Sequence, residues 1–411
     1  MWGFLLSAMV SFLGVGWLYY KELKLAKDKL LVDNPDARKL QRIPVPVRGG
    51  IAVFFGVTCG VLVADGFFNG VDNLLPVFCA MLVMMYVGGL DDMLSLSPRV
   101  RLVIQILVIL GMIWSTRGCV DSFHGLFGIQ EYSWWIGVPL TVFAGVGIIN
   151  AINMIDGVNG LSSGLCMVYN MSFGYAFMMH GDVANAVLAF CMVGALLVFW
   201  LHNVFGASSK MFIGDAGTMM MGVLMTWFVI QLLRQDSILM TGYNTSLCLI
   251  AMSLATLVVP VFDAVRVMLN RMRKGLNPFH PDKTHIHHIF IIFGLSHSLT
   301  MITIILMDVL TMLVWLVSYK MGASQEQQFT VVMIVGLVLV WGSHIGLRHI
   351  KHAYKPLMER MRSISLSGDP EKKHWWGAIR TWLDSHEIQD FSEKEKLETR
   401  LDRKFNYRKD D

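Results

Sequence analysis

Long apolar runs alternate with short polar connections along most of this chain. A transmembrane helix needs about 20 mainly apolar residues to cross the hydrocarbon core of a bilayer. Eleven runs come close to that length, at residues 2–20, 50–68, 74–90, 102–116, 134–150, 161–179, 183–201, 217–233, 247–265, 299–318 and 330–347. This pattern predicts an all-α, polytopic integral membrane protein with about eleven transmembrane helices.

The composition excludes an ordinary soluble protein. Apolar residues make up 55% of the chain and charged residues only 16%, whereas soluble domains carry about 25% charged residues. The six cysteines form no CxxC pair, and five of them lie in apolar runs. Neither a disulfide framework nor a zinc site is therefore indicated.

The basic residues predict how the helices are oriented, because lysine and arginine collect on the cytoplasmic side of membrane proteins. If the connections after the odd-numbered runs are cytoplasmic, that side holds 31 of the 34 basic residues. We therefore expect an outside N-terminus, a retained first helix rather than a signal peptide, and a cytoplasmic C-terminus. A transmembrane domain at 1–350 would precede a cytoplasmic helical tail at 351–411.

Four clusters of polar residues interrupt this pattern, and all four fall in connections on the same predicted side. They comprise Asp91 and Asp92 after the third run; Asn150, Asn153, Asp156 and Asn159 around the end of the fifth; Asp215 before the eighth; and Asp263, Arg266, His280, Asp282, Lys283, His285, His287 and His288 at the end of the ninth and beyond. Unrelated polar loops would be shared between the two faces. The one-sided distribution predicts a single functional site at the cytoplasmic membrane boundary.

The side chains in these clusters are suited to a metal ion and phosphate groups. Mg²⁺ typically binds one or two carboxylates, several waters and the phosphates of a substrate. Phosphate oxygens need positive charge and backbone donors, which Arg266, Lys283, protonated histidines and the glycines flanking Asp215 supply. The set predicts metal-assisted phosphoryl transfer.

Each motif alone also has a simpler interpretation. The acid pair is consistent with a solvated helix end, and Asp215 with a helix cap in an ordinary turn. The histidine loop is consistent with a merely polar connection, while zinc is disfavoured because HIHH lacks a regular histidine pair on one helix face. Asp263 and Arg266, three residues apart, suggest a structural ion pair that positions this loop.

Taken in order, the motifs GGLDDMLSLSPRVR, NAINMIDGVNGL, FIGDAGT and PFHPDKTHIHH resemble those of the polyprenyl-phosphate N-acetylhexosamine-1-phosphate transferases. The histidine motif is most similar to that of the bacterial undecaprenyl-phosphate N-acetylglucosamine-1-phosphate transferases. The resemblance implies that undecaprenyl phosphate attacks the β-phosphorus of UDP-GlcNAc. The products would be undecaprenyl-diphospho-GlcNAc and UMP, in the first lipid-linked step of a cell-surface polysaccharide such as lipopolysaccharide.

The resemblance also implies roles for particular residues. Mg²⁺, with Mn²⁺ as a substitute, is expected to bind Asp215 and Asn153. We expect catalytic roles for Asp91, Asp92 and Asp156, with Asp91 acting on the lipid phosphate. The phosphates and the nucleotide sugar are expected to contact Arg101, Arg266, Lys283, His285, His287 and His288. Asn159 stands where many bacterial members of the family have aspartate, so no charge-dependent role is assigned to it.

The expected partners are a UDP-sugar, undecaprenyl phosphate and membrane lipid, without nucleic acid; a homodimer is an open alternative. The expected location is the bacterial cytoplasmic (inner) membrane, with the active site on its cytoplasmic face. Another UDP-N-acetylhexosamine is an alternative donor. A different class, an ion-coupled transporter, is suggested by Asp308 in the middle of the tenth run. In the tail, tryptophans at helical spacing in residues 375–383 suggest a helix on the membrane surface.

Overall fold

The computed structural model describes residues 2–33, 43–68, 71–237, 246–277, 284–353 and 368–385, with isolated positions between 356 and 365. The helices are α1 (Trp2–Asp28), α2 (Gly49–Asp65), α3 (Leu75–Leu94), α4 (Pro98–Thr116), α5 (Trp134–Ile155), α6 (Leu161–Met179), α7 (Val183–Phe205), α8 (Gly214–Leu233), α9 (Leu249–Thr256), α10 (Val258–Arg273), α11 (Ile286–Ile292), α12 (His297–Lys320), α13 (Gln325–Gly336), α14 (Ser343–Ala353) and α15 (His374–Asp384). A π-helical segment, Leu337–Gly342, joins α13 to α14. Two short strands, β1 (Val32–Asp33) and β2 (Val45–Pro46), pair antiparallel.

All eleven predicted apolar runs lie in helices, but not all of these helices have the length and hydropathy of a membrane span. Within the described ranges, seven single helices satisfy both conditions. The continuous stretch Gln325–His349, formed by α13, the π-helical segment and part of α14, is an eighth span, and the bent pair α9 and α10 adds a ninth. Helix α2 is apolar but has only 17 residues, and α6 contains polar residues such as Asn170 and Ser172. The structure therefore supports a multi-pass, all-α membrane protein with eight or nine helices that have the length and hydropathy of a span. The predicted total of eleven and the predicted orientation stay predictions.

Helix α8 forms the centre of the bundle. It is buried along its whole apolar length and packs against α2, α3 and α5. By contrast, large apolar side chains on peripheral helices are exposed, as at Trp17 of α1 and Phe143 of α5. An apolar exterior is what a lipid-facing surface requires.

Glycines allow the backbone of neighbouring helices to approach the start of α8 closely. A Cβ atom on Gly88 of α3 would lie 2.3 Å from the carbonyl oxygen of Asp215, and one on Gly50 of α2 would lie 2.5 Å from the amide nitrogen of Gly217. Both separations are too short for any side chain. The position of Asp215 is thus fixed by contacts between main chains.

A sharp break separates α9 from α10, whose axes differ by 78°. Pro260 follows the break, and a proline ring clashes with the carbonyl group four residues earlier, here that of Thr256, the last residue of α9. Asp308 of α12 accepts a hydrogen bond from the amide of Val259 at 3.2 Å and another from the hydroxyl of Tyr169. Asp308 therefore satisfies a backbone donor at the break, and its burial has a structural explanation.

Candidate active site

The polar clusters meet at one cavity of about 1130 Å³ at one end of the helix bundle. Nine of the eleven residues predicted for the site line its wall: Asp91, Asp92, Arg101, Asn153, Asp156, Asp215, His285, His287 and His288. The cavity therefore brings together side chains from the ends of α3 and α5, the starts of α4 and α8, and the α10–α11 region. Lys283 lies outside the described residues.

Asp215 lies in the first turn of α8 and contacts two of the other predicted residues. Its Oδ1 atom accepts a hydrogen bond of 2.7 Å from the amide nitrogen of Asn153. The same nitrogen donates to the Thr218 hydroxyl at 2.8 Å. The Oδ2 atom of Asp215 lies 3.7 Å from the guanidinium group of Arg101. The predicted metal-binding pair is thus assembled, with the carbonyl oxygen of Asn153 left as the atom that suits a cation.

Asp91 is buried and holds Arg101 in place. One carboxylate oxygen accepts a hydrogen bond from the amide of Leu96 at 2.7 Å, and the other forms an ion pair with Arg101 at 2.5 Å. Arg101 lies in the first turn of α4, where Ser97 is the N-cap. The Asp91 carboxylate therefore fixes the guanidinium group between itself and Asp215.

Asp92 caps α8 from the neighbouring helix. Its two carboxylate oxygens accept hydrogen bonds from the amides of Asp215 at 2.9 Å and Ala216 at 3.2 Å. Gly214, which precedes these amides, has a φ of +71°, a conformation that favours glycine. The cap that the sequence suggested for Asp215 is thus supplied by Asp92, and Asp215 itself is left facing the cavity.

Residues 44–50, PVPVRGG, pair with the chain just before Gly214 and support the turn into α8. Val47 forms a parallel β-bridge with Phe212, and the amide of Phe212 donates to the carbonyl group of Pro46 at 2.8 Å. The amide of Gly49 returns a hydrogen bond of 2.9 Å to the carbonyl group of Phe212. Main-chain pairing therefore holds the residues that lead into Asp215.

The asparagine-rich motif is divided by the end of α5. Asn150, Asn153, Asp156 and Asn159 recur every three residues, a spacing that would place them on one face of a continuous helix. However, α5 ends at Ile155, and Asp156 is its C-cap. Asn159 follows in the turn, and it too lines the cavity. Desolvation raises the pKa of Asp156 to about 6, although the hydrogen bond from the Ser162 hydroxyl lowers it in part. The change of direction keeps all four side chains at the cavity wall.

Asp263 organises the start of the histidine segment. It accepts a hydrogen bond from Nδ1 of His285 at 2.8 Å and another from the amide of Ile286 at 3.2 Å. It also pairs with Arg266, whose guanidinium group donates to the carbonyl group of Thr284 at 2.6 Å. The ion pair that the spacing suggested is therefore present. Arg266 is buried behind His285 and does not line the cavity, in contrast to the phosphate-binding role predicted for it.

His287 is buried against the asparagine-rich motif. A Cβ atom on Gly157 would lie 2.2 Å from Nε2 of His287, so glycine at this position makes room for the imidazole. Burial lowers the pKa of His287 well below its ordinary value, and the neighbouring His288 and His285 lower it further. These effects favour the neutral form of the His287 imidazole.

Several wall residues were not singled out in the sequence. Arg271, at the end of α10, is buried and lines the cavity. Gln105, Asn203 and His297 line the cavity as well. Arg271 belongs to the basic stretch RMRKG, so its charge was visible, but its direction depends on the break between α9 and α10. It adds a cation to the wall that also carries the histidines.

The donor set fits Mg²⁺ when a substrate supplies part of the coordination. Within the described part of the chain, no three His, Cys, Asp or Glu side chains are arranged to bind one metal ion. Asp215 and Asn153 offer a carboxylate and an amide oxygen beside an open cavity. Mg²⁺ commonly binds through one or two carboxylates, waters and phosphate oxygens, which matches this arrangement.

The fold and the site define a multi-pass membrane protein with a cavity suited to phosphate groups. Residues 74–233 match the model of glycosyl transferase family 4. The undecaprenyl-phosphate α-N-acetylglucosaminyl 1-phosphate transferase of Escherichia coli K12 is 33% identical over 276 residues, which are 66% of this chain and 72% of the relative.

Other relatives agree with this match. The Yersinia pestis protein of the same name is 29% identical over 343 residues, covering 82% of this chain and 90% of the relative. A probable undecaprenyl-phosphate N-acetylglucosaminyl 1-phosphate transferase of Bacillus subtilis 168 is 33% identical over 276 residues, covering 67% of this chain and 74% of the relative. The chain therefore belongs to the glycosyl-1-phosphate transferases of glycosyl transferase family 4, as its motifs predicted.

Proposed function

We propose that this protein transfers GlcNAc 1-phosphate from UDP-GlcNAc to undecaprenyl phosphate, with release of UMP. The observation that carries the proposal is the convergence of the polar clusters on one cavity at the end of membrane-spanning helices. The names of the relatives support undecaprenyl phosphate as acceptor and a GlcNAc 1-phosphate donor. The product would begin a lipid-linked cell-surface polysaccharide, such as lipopolysaccharide.

In the proposed reaction an oxygen of the lipid phosphate attacks the β-phosphorus of the UDP-sugar. The bond between that phosphorus and the oxygen bridging to the α-phosphate breaks, and UMP leaves with the electron pair. A phosphate monoester is already largely ionised at neutral pH, so deprotonation of the nucleophile makes a small demand on the protein. The main demand is to bring two mutually repelling phosphate groups together in line.

The cavity residues meet this demand in different ways. Asp215 and Asn153 would hold Mg²⁺, which when bound neutralises phosphate charge and aligns the reacting groups. Arg101, fixed by Asp91 and 3.7 Å from Asp215, lies beside that position, and Arg271 supplies a second cation. In this proposal Asp91 and Asp92 act chiefly by positioning Arg101 and α8; the direct catalytic roles expected for them and for Asp156 stay predictions.

The histidine wall is assigned to the donor. His285 is held by Asp263, and His287 is held against Gly157, so both imidazoles have fixed directions. We assign His285, His287 and His288 to the nucleotide sugar, and Lys283 keeps this assignment from its sequence motif alone. Arg266 acts behind them, by holding Thr284 and Asp263.

The proposed location is the cytoplasmic face of the bacterial inner membrane. The distribution of lysine and arginine supports this orientation. Both substrates then meet without leaving their phases, because the lipid tail stays in the bilayer and the nucleotide sugar comes from the cytoplasm. The transporter alternative loses its main support, since Asp308 bonds to Val259 and Tyr169 within the packed helices.

The test is UMP release by the purified protein from UDP-GlcNAc and undecaprenyl phosphate. We expect release with Mg²⁺, recovery by Mn²⁺ after chelation, and none with EDTA alone. Asp215→Ala should lower kcat at least about 100-fold, a loss typical of a group that stabilises transition-state charge. Asp182→Ala is the matched control, because Asp182 caps α7 away from the cavity. Full activity of Asp215→Ala would contradict the metal assignment.

A panel of UDP-sugars tests the donor. UDP-GlcNAc should give the highest kcat/KM. Faster release from UDP-GalNAc or another UDP-N-acetylhexosamine would keep the reaction and replace the sugar. Absence of UMP release from every donor would contradict the proposed function.

A further inference from the structure

The last segment that the structure describes docks on the active-site end of the bundle. We call residues 369–384 the tail clasp; it consists of Asp369, the short 3₁₀ helix Pro370–Lys372 and α15. Two of its buried side chains, Trp376 and Leu383, lie on one face of α15, whereas Trp382 is 62% exposed. The clasp therefore has a face that packs on the protein and a face that does not.

The packed face of α15 contacts the end of α7 and Tyr20 of α1. The ring of Trp376 lies 4.3 Å from the ring of Phe205, measured between centroids. Arg380 donates a hydrogen bond of 3.2 Å to the carbonyl group of Phe205. The hydroxyl of Tyr20 donates to the carbonyl group of Leu383 at 3.0 Å. These contacts place the end of α15 against the connection that follows α7.

Asp384 binds that connection directly. Its carboxylate accepts hydrogen bonds from the hydroxyl of Ser209 at 2.7 Å, from the amide of Ser209 at 3.1 Å and from the amide of Ala207 at 3.2 Å. Burial opposes the charged form of Asp384, but the hydrogen bonds from Ser209 and Ala207 outweigh it and lower the pKa of the carboxyl group. A carboxylate with several such donors is a strong anchor.

The anchored connection, residues 206–213, leads straight into the active site. On its other side Ser209 accepts a hydrogen bond of 2.9 Å from the hydroxyl of Tyr19. Its last residues, Phe212 and Ile213, line the cavity and immediately precede Gly214 and Asp215. The carboxylate of Asp384 thus contacts Ala207 and Ser209, which precede the proposed metal-binding residue Asp215 by only a few positions in the sequence.

A second anchor holds the start of α12. Glu371 accepts hydrogen bonds from the hydroxyl of Ser298 at 2.6 Å and from its amide at 3.3 Å. The neighbouring His297 lines the cavity. One short segment therefore fixes two separate parts of the cavity wall, through Asp384 at residues 206–213 and through Glu371 at the start of α12.

We propose that the tail clasp positions the wall of the active-site cavity for binding of the UDP-sugar, with Asp384 and Trp376 as its main positioning residues. It rests on the proposed function as far as the substrate is concerned, because UDP-GlcNAc is the ligand whose binding it assists. The clasp touches the wall from behind, so it acts through residues 206–213 and His297.

The first test is hydrogen–deuterium exchange of the full-length protein, read on peptides that cover residues 206–213. Asp384→Ala should increase exchange in these peptides about tenfold, because it removes the acceptor for two backbone amides. Trp376→Ala should have the same direction of effect. Trp382→Ala is the matched control on the exposed face of the same helix, and it should leave this exchange unchanged. Unchanged exchange in both Asp384→Ala and Trp376→Ala would overturn the proposal.

The second test is steady-state kinetics of the same proteins. Asp384→Ala should raise KM for UDP-GlcNAc about tenfold while kcat changes less than about twofold, because a looser wall weakens donor binding without removing a reacting group. Asp384→Asn, which keeps an acceptor oxygen, should recover most of the affinity and serves as the second variant if Asp384→Ala does not fold. Increased exchange with an unchanged KM would overturn the positioning role. If the wild-type protein releases no UMP, the proposed function fails, and the exchange comparison still decides whether the clasp holds the wall.

Discussion

Replacing Asp92 distinguishes positioning by a helix cap from direct participation in the reaction. Asp92→Ala removes the acceptor for the amides of Asp215 and Ala216. Asp92→Asn keeps the shape and one acceptor oxygen, but it turns an amide donor towards one of these two N–H groups. The two substitutions therefore remove the cap to different degrees while both remove the charge.

The magnitude follows from the geometry. Loss of a capping side chain costs about 1 kcal/mol, and the upper values for charged hydrogen bonds do not apply because Asp92 is an exposed residue of the cavity wall. A loss of about 1 kcal/mol corresponds to about fivefold in rate. A general acid or base would contribute about 10²- to 10⁴-fold instead. We expect kcat/KM to fall about five- to tenfold for Asp92→Ala, and about two- to threefold for Asp92→Asn.

The assay is UMP release at saturating Mg²⁺, with Asp182→Ala as a cap variant away from the cavity. Circular dichroism and the thermal unfolding midpoint would show whether each protein is folded. Equal losses of 100-fold or more for Asp92→Ala and Asp92→Asn would refute the capping argument and assign the carboxylate a direct role.

Two further predictions concern a packing contact and a buried hydrogen bond. Gly157→Ala should raise KM for UDP-GlcNAc about tenfold, because its Cβ atom would displace His287. Gly111→Ala is the control, because no atom lies near its added methyl group. Equal KM values for the two variants would contradict the predicted effect of the contact. Tyr169→Phe should lower the free energy of unfolding by about 1 to 3 kcal/mol, because Asp308 loses a buried donor. Thermal unfolding in detergent measures this change, and an unaltered midpoint would contradict it.

The convergence of the acids could be predicted from the sequence. Each apolar run long enough to cross the membrane moves the chain to the other side, so the number of runs between two connections tells whether they lie on the same side of the membrane. The partners of individual carboxylates could not be predicted. Asp92 and Asp215 are separated by more than 120 positions in the sequence, and their bond depends on how α3 packs against α8. The sequence therefore placed Asp92 in the site without revealing that it caps a helix.

The break between α9 and α10 was indicated only in part by the sequence. Pro260 lies inside an apolar run that reads as one continuous span, and proline removes a helical hydrogen bond there, but Pro139 does the same inside the continuous helix α5. The identity of the group that repairs the interruption was not within reach, since Asp308 comes from a helix about 50 residues later. Its position in the middle of an apolar run suggested ion transport, and only the packing shows the structural use.

The tail illustrates a third case. The tryptophan spacing in residues 375–383 predicted a helix with an apolar face, and α15 confirms the helix. Of the residues assigned to the membrane surface, Trp376 and Leu383 pack on the rest of the chain, whereas Trp375 and Trp382 are exposed, so the membrane contact stays a prediction for these two tryptophans. Periodicity identifies an apolar stripe but not the surface that covers it.

The close approach of main chains around the start of α8 limits where substrate preference can change. At Gly50 and Gly88 there is no side chain to exchange, and any larger residue would push Asp215 out of place. Variation among related enzymes should therefore be confined to the opposite wall, where imidazole and guanidinium groups can be altered without disturbing the acids. One side of the cavity would be inherited unchanged, and the other would adapt to a new sugar.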